Sequence, residues 1–245
     1  MSDVEEHHAH THAHSHMVHR HRDVGGGSAR AAVFGVSDGL VSNVALILGV
    51  AAAATEANSV VVAGTAGLLA GAFSMAAGEY VSMKAQAELI EREVEIERRS
   101  IAQQPQAETN ELAAIYRGRG IDADHAATMA EAVMADPEVA LEVHAREELG
   151  IDPDDTGDPV GAAVSSFVAF GIGAILPLLP WFFIDGDTAI VLSAVIGLIT
   201  AGAVGVALAY FTERSAVRTA ARQMGWAALA CSVTWIIGSW LGTVV

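Results

Sequence analysis

Five stretches of this chain, residues 33–54, 60–83, 161–184, 188–211 and 223–245, are each apolar and long enough to cross a hydrocarbon core of about 30 Å as a helix. Lipid offers the backbone no hydrogen-bond partners, so each run is expected to satisfy its own amides as a continuous helix. The runs are rich in Ala, Gly and Val, and the chain is 52% hydrophobic but only 6% aromatic, as packed membrane helices are. The formal net charge of −16 is concentrated between the runs, in solvent. That charge repels nucleic acid and makes cations, beside the lipid bilayer, the expected partners. The single cysteine, Cys231, lies inside an apolar run, which rules out an intrachain disulfide. The first thirty residues hold no apolar signal-like core, so the first span is expected to direct insertion itself.

One stretch does two jobs. Residues 60–104 pass from apolar to strongly acidic without a residue that must break a helix. A helix of that length extends about 67 Å at 1.5 Å per residue, so about half of it must stand outside the bilayer. Its inner half carries Met75 and Glu79 one turn apart, and its outer half carries Glu88, Glu91, Glu93, Glu95 and Glu97. Soft sulfur and hard carboxylate on one rod point to a divalent metal. In the first span Asp38 is a site candidate by default, because a membrane carboxylate is costly unless it pairs or faces water. The first two spans run antiparallel, so Asp38 and Glu79 fall at similar depth and could share one ion. Gly35 with Gly39, and Gly67 with Gly71, are small-residue pairs that let backbones approach closely.

The acidic segment is punctuated into helices: 106–117, then 122–135 with Asp122 as N-cap, then one from Asp136 as N-cap and Pro137 at the first position to Gly150. On the long helix Glu88, Glu91 and Glu95 share a face with Arg92 and Arg99, a solvated and self-compensated surface. Glu93 and Glu97 fall with Ile90, Val94 and Ile101 and are expected to turn inward. Glu108 with Glu111, and His144 with Glu148, are further one-turn pairs; together these suit a carboxylate-rich metal cluster in a small helical domain. The N-terminal segment alternates histidine with Ala, Thr and Ser: His7, His8, His10, His12, His14, His16, His19 and His21. It reads as a native tail that collects transition metals loosely rather than as an added tag, because tags are usually contiguous.

The expected fold is therefore an all-α membrane protein of five transmembrane helices, with a cytoplasmic helical metal-binding domain inserted between spans 2 and 3. Residues 1–30 form a disordered His-rich cytoplasmic tail, 31–83 transmembrane helices 1 and 2, 84–159 the cytoplasmic acidic domain, and 160–245 transmembrane helices 3 to 5. All the basic residues fall on one side of this arrangement, which by the positive-inside rule puts the N-terminus and the acidic domain in the cytoplasm and the C-terminus outside. Lys84 is the only lysine against many arginines, which favours a GC-rich genome and the plasma (inner) membrane of a bacterium.

The stretches FGVSDGLVSNVALILGV, AGAFSMAAGEYVSM, the run from Glu97 to Leu112 and REELGI ending at Ile151 resemble the vacuolar iron transporter family, over everything from about Phe34 to the C-terminus. The resemblance implies a homodimer of five-span subunits with the ion path between them, a metal-collecting cytoplasmic domain, and exchange of Fe²⁺ or Mn²⁺ for protons. It assigns Asp38, Met75 and Glu79 to the path and Glu97, Glu108, Glu111 and Glu148 to the cytoplasmic site. Two positions depart from the family pattern: Ser100 replaces a glutamate, and His144 replaces a methionine four residues before the last glutamate. Imidazole in place of thioether also suits Zn²⁺, Co²⁺ and Ni²⁺. The expected activity is transport of Fe²⁺ out of the cytosol by proton antiport, with no covalent chemistry. A membrane-anchored buffer or sensor is the alternative, which has no use for an intramembrane Asp38. A di-iron membrane enzyme would need clustered histidines, and only His125 and His144 lie outside the tail.

Overall fold

The computed structural model describes residues 27–53, 56–153 and 156–244. The tail histidines, and Asp154 and Asp155 of the linker, lie outside the described residues. Among the described residues, eight α-helices and one short 3₁₀ turn account for the architecture, and five of the helices are long and apolar enough to cross a membrane. Helix α1 spans Gly27–Ala53, α2 Ala57–Gln103, α3 Pro105–Gly118, α4 Ala123–Met134, α5 Pro137–Glu147, α6 Pro159–Leu178, α7 Gly186–Thr212 and α8 Ala216–Val244.

Helix boundaries follow local chemistry. The 47 residues of α2 form one helix that stops where Pro105, lacking an N–H, opens α3 instead. Asp122 caps α4 through the amides of Asp124 and His125, Asp136 caps α5 through those of Glu138 and Val139, and Asp158 caps α6 through Gly161. Pro177 falls in the last turn of α6, and the chain then tightens into the 3₁₀ turn Leu179–Phe182. Trp181 is anchored there: its indole N–H donates to Ser193 Oγ, which itself donates to the Pro177 carbonyl. Two boundaries correct the sequence reading. Helix α1 begins at Gly27, inside the stretch read as flexible, because Ala29, Arg30, Ala31 and Ala32 are strong helix formers. Helix α8 begins at Ala216 rather than 223, because a hydropathy window marks the lipid-facing length and not the helix, whose first two turns carry Arg218 and Arg222.

The centre of the apolar bundle is α1, which packs on α6, α8, α2 and α7. Glycine makes its approach to α6 possible: a Cβ built on Gly39 would stand 2.2 Å from the Phe170 carbonyl oxygen, and one on Gly173 2.2 Å from that of Val36. Both obstacles are backbone, which cannot swing aside. Gly39→Ala is therefore expected to push the two helices apart and destabilise the protein by about 1–3 kcal/mol. Gly78→Ala, which meets nothing within 4 Å, should leave the melting temperature unchanged or slightly raised. Thermal unfolding of the two variants in detergent checks this; equal melting temperatures would show that the Gly39 contact is not limiting.

The acidic helices between the second and third apolar spans have a lean interior. Leu112, Tyr116, Ala126 and Ala130 form one small core between α3 and α4, and Ile101, Ala140 and Leu141 another between α2 and α5. Three of these seven residues are alanine, so apolar burial contributes little per helix. Polar ties add to it, among them Arg119 at the end of α3 paired with Glu147 on α5.

Candidate functional site

Two separate groups of chemistry-bearing side chains stand out, one among the acidic helices and one inside the apolar bundle. In the first, α2 supplies Glu97, α3 supplies Glu108, α5 supplies His144, and Glu148 follows at the end of α5. One ligand atom from each lies within 4.8 Å of all the others. His144 Nδ1 is the centre, 3.1 Å from Glu97 Oε1, 3.8 Å from Glu148 Oε2 and 4.0 Å from Glu108 Oε2. His144 is fully buried and Glu97 is 7% exposed.

Neither ring nitrogen of His144, nor Glu97 Oε1, makes a hydrogen bond, despite the 3.1 Å approach. Buried polar atoms normally have partners, and leaving one unsatisfied costs about 1–3 kcal/mol. Metal–ligand bonds of about 2.0–2.2 Å place neighbouring donor atoms about 3–3.5 Å apart, a range that includes the His144–Glu97 separation of 3.1 Å, with Glu148 and Glu108 standing slightly farther out. The electrostatics agree. Burial, reinforced by the negative charges of Glu148, Glu108 and Glu111, pushes the Glu97 carboxyl up to about 7. Burial also raises Glu108, helped by Glu111 and Glu148 and opposed by His144. The cluster thus has excess negative charge that a cation would relieve.

The remaining residues expected in this region stand apart from the group of four. Glu111 is exposed but close enough to act on Glu97 and Glu108 through its charge. Glu93 is half-buried and paired with Arg92 at 2.5 Å. It sits one turn, about 6 Å along the axis, from Glu97. Ser100, one turn beyond Glu97, supplies no carboxylate.

The second group lines a cleft of about 320 Å³ between α1, α2 and α6, formed by Asp38, Ser42, Asn43, Leu46, Gly67, Gly71, Ser74, Met75 and Phe170. Asp38 and Met75 thus face a common space, whereas Glu79, one turn further along α2, does not line it. No hydrogen bond or ion pair among the described residues engages the Asp38 carboxylate; Ser42 Oγ donates to the Asp38 backbone carbonyl instead.

Asn43 is a member of this group to which the sequence alone assigns no role. It is 2% exposed, its Nδ2 donates to the Ala174 carbonyl on α6 at 2.7 Å, and its Oδ1 has no partner. That single bond fixes the amide's orientation and turns the carbonyl oxygen toward Gly67, where a Cβ would come within 3.1 Å of it. The signal in the sequence is an asparagine in the middle of an apolar run, five residues after Asp38.

Comparison with known proteins covers both groups. The family model described as the VIT family matches residues 29–239. Vacuolar iron transporter 1 of Eucalyptus grandis is 32% identical over 196 residues, 78% of this chain and 79% of the relative. The vacuolar iron transporter of Acanthamoeba castellanii is 35% identical over 219 residues, 86% of this chain and 78% of the relative. Vacuolar iron transporter 1 of Arabidopsis thaliana is 32% identical over 192 residues, 78% of this chain and 77% of the relative.

Proposed function

The chain belongs to the VIT family, and from that premise we propose that this membrane metal-ion transporter carries Fe²⁺ out of the cytosol in exchange for protons. Mn²⁺ is a second cargo, and the His144 cluster extends binding to Zn²⁺, Co²⁺ and Ni²⁺. The observation that carries the reading is the cleft in which Asp38 on α1 and Met75 on α2 line one space among apolar helices. A carboxylate attracts the dehydrated ion, a thioether favours iron over the alkaline-earth cations, and Asn43 Oδ1 adds a neutral oxygen. Protonating Asp38 removes the charge that retains the ion, so inward protons and outward metal compete for one group.

The acidic helices act upstream. They face the cytoplasm, collect metal at Glu97, Glu108, His144 and Glu148, and raise its concentration beside the cleft. The tail histidines add a looser reservoir. Asp38 is exposed within one chain. A second copy seated over α1 and α2 would enclose the cleft, which supports a homodimer with the path between subunits. Outward transport from the cytosol is common to vacuolar and plasma membranes; the proposal keeps the bacterial plasma membrane, with the C-terminus outside. A buffer or sensor needs only the cluster and leaves the cleft without a role.

Proteoliposomes loaded with a metal-sensitive dye test the proposal. Fe²⁺ flux should rise with an opposing proton gradient and should itself move protons. Flux indifferent to the gradient would sink the antiport; metal binding without flux would favour the buffer. In the same assay Gly67→Ala, which brings a methyl against Asn43 Oδ1, is expected to lower flux several-fold with an unchanged melting temperature. Wild-type flux in that variant would remove Asn43 from the path.

A further inference from the structure

Another cavity, about 390 Å³, lies where α7 turns into α8, and it is lined by Leu208, Thr212, Arg214, Ser215, Arg218, Thr219 and Arg222. Three guanidinium groups and three hydroxyls in one pocket are unusual in a chain of net charge −16. Among the described side chains, the other basic groups are occupied. Lys84, Arg92, Arg98, Arg99, Arg119 and Arg146 each pair with a carboxylate, and Arg117 donates to the Ala113 carbonyl. The side chains of Arg214, Arg218 and Arg222 have no hydrogen bond or ion pair to any described residue. No acid lines the pocket; Glu213, in the turn itself, caps α7 in the left-handed conformation at φ 53°.

We propose that this pocket binds the phosphate of an anionic membrane phospholipid. Arg218 and Arg222 are one turn apart on α8 and Arg214 stands just before it, so the three guanidinium groups border one cavity. Planar guanidinium groups hold phosphate oxygens with paired N–H donors, and Ser215 and Thr219 supply hydroxyl donors, the Thr212 hydroxyl being given to the Leu208 carbonyl. The opening turn of α8 adds N–H groups that have no intrahelical acceptor.

The surroundings identify the phosphate as a lipid's rather than a free ion. Tyr210 is 72% exposed, Val217 81% and Trp226 63%, so apolar and aromatic surface flanks the arginines. Tyrosine and tryptophan beside arginine, at the end of an apolar helix, is the composition of a headgroup layer. The helices alternate in direction, which puts this turn at the end of the bundle that bears the acidic helices. The positive-inside rule needs only charge at that end, and lysine would serve it equally. The pocket needs the guanidinium fork.

Native mass spectrometry of the full chain in detergent tests the assignment, with phosphatidylglycerol, phosphatidylcholine or inorganic phosphate added. Wild-type protein should retain phosphatidylglycerol at least tenfold more strongly than phosphatidylcholine, and inorganic phosphate should not displace it at equal concentration. The triple variant with Arg214→Gln, Arg218→Gln and Arg222→Gln should lose that preference. The triple variant with lysine at the same positions keeps the charge that orients the chain, so it inserts as the wild type does, and it should still lose most of the preference. Retention by the lysine variant equal to wild type would reduce the pocket to bare charge and overturn the proposal. Binding of inorganic phosphate as tight as that of phosphatidylglycerol would overturn the lipid assignment, and equal retention of both lipids by wild type would overturn it as well.

Discussion

Asp38→Asn should lower metal flux at least about a hundredfold while leaving the protein folded, because it deletes an interaction made with the ion and none made with the fold. The amide has the size and shape of the carboxylate. No described hydrogen bond or ion pair depends on that carboxylate, and the Ser42 hydroxyl reaches the backbone carbonyl of residue 38, which the substitution keeps. What is lost is the negative charge lining the cleft with Met75 and Asn43. A divalent ion leaving water then meets only neutral donors, which cannot replace its hydration in a low-dielectric bundle. The same substitution removes the one group there that both proton and metal can occupy, so proton-coupled movement should vanish together with metal flux. Proteoliposome flux with a melting curve in detergent checks both halves. Wild-type flux in a well-folded Asn variant would exclude Asp38 from the path.

Metal binding at the helical cluster should weaken about tenfold for each pH unit below 7 for every proton displaced, and Glu97→Gln should weaken it about a hundredfold at pH 8. Glu97 has its carboxyl pushed from the ordinary 4.5 up to about 7, so below neutrality a bound metal must first expel that proton. His144 must likewise present a neutral nitrogen to the metal. The sign for stability runs the other way. A carboxyl whose folded-state pKa is raised stabilises the metal-free fold fully below the ordinary carboxylate range, and that contribution is lost as pH rises through about 7. The metal-free protein should therefore be least stable near pH 8, where metal binds best, and the metal-induced rise in melting temperature should be larger at pH 8 than at pH 5.5. Glu97→Gln should raise the metal-free melting temperature at pH 8 and flatten the pH profile of binding. Replacing His144 by methionine should shift preference from Zn²⁺ toward Fe²⁺. Calorimetric titration at several pH values, in a chain shortened to remove the tail histidines, measures the affinities, and thermal unfolding of the same samples measures the melting temperatures. An affinity independent of pH between 5.5 and 8 would show that Glu97 does not exchange its proton for metal.

Periodicity and punctuation carried the sequence reading as far as local rules reach. The apolar runs, the unbroken passage of α2 out of the bundle, and the aspartate caps at Asp122 and Asp136 are properties of neighbouring residues. So are the one-turn pairs Glu108 with Glu111 and His144 with Glu148, of which Glu108, His144 and Glu148 gather around Glu97 while Glu111 stands outside the group. Depth along an axis is different. Glu93 and Glu97 differ by only about 40° around α2, and periodicity treats them alike, yet one turn of rise leaves Glu93 with Arg92. The role of Asn43 is hidden for a related reason: its partner is a carbonyl 131 residues away on α6, and the orphan oxygen exists only once that helix is in place. The pocket at the α7–α8 turn needed the structure too, since three arginines at four-residue spacing also satisfy a topology signal.

The unbroken course of α2 sets how its two sites can communicate. Met75 and Glu97 are separated by 22 positions on one helix, about 33 Å of rise and about 40° of rotation. The Debye length in physiological salt is about 8 Å, so a proton gained or a cation bound outside the bilayer is electrically invisible in the cleft. A helix transmits tilt and torque where it does not transmit charge. Any signal from a loaded cluster to the proposed ion path would therefore travel as rigid-body movement of this rod, with α5 bearing on one end and α6 on the other.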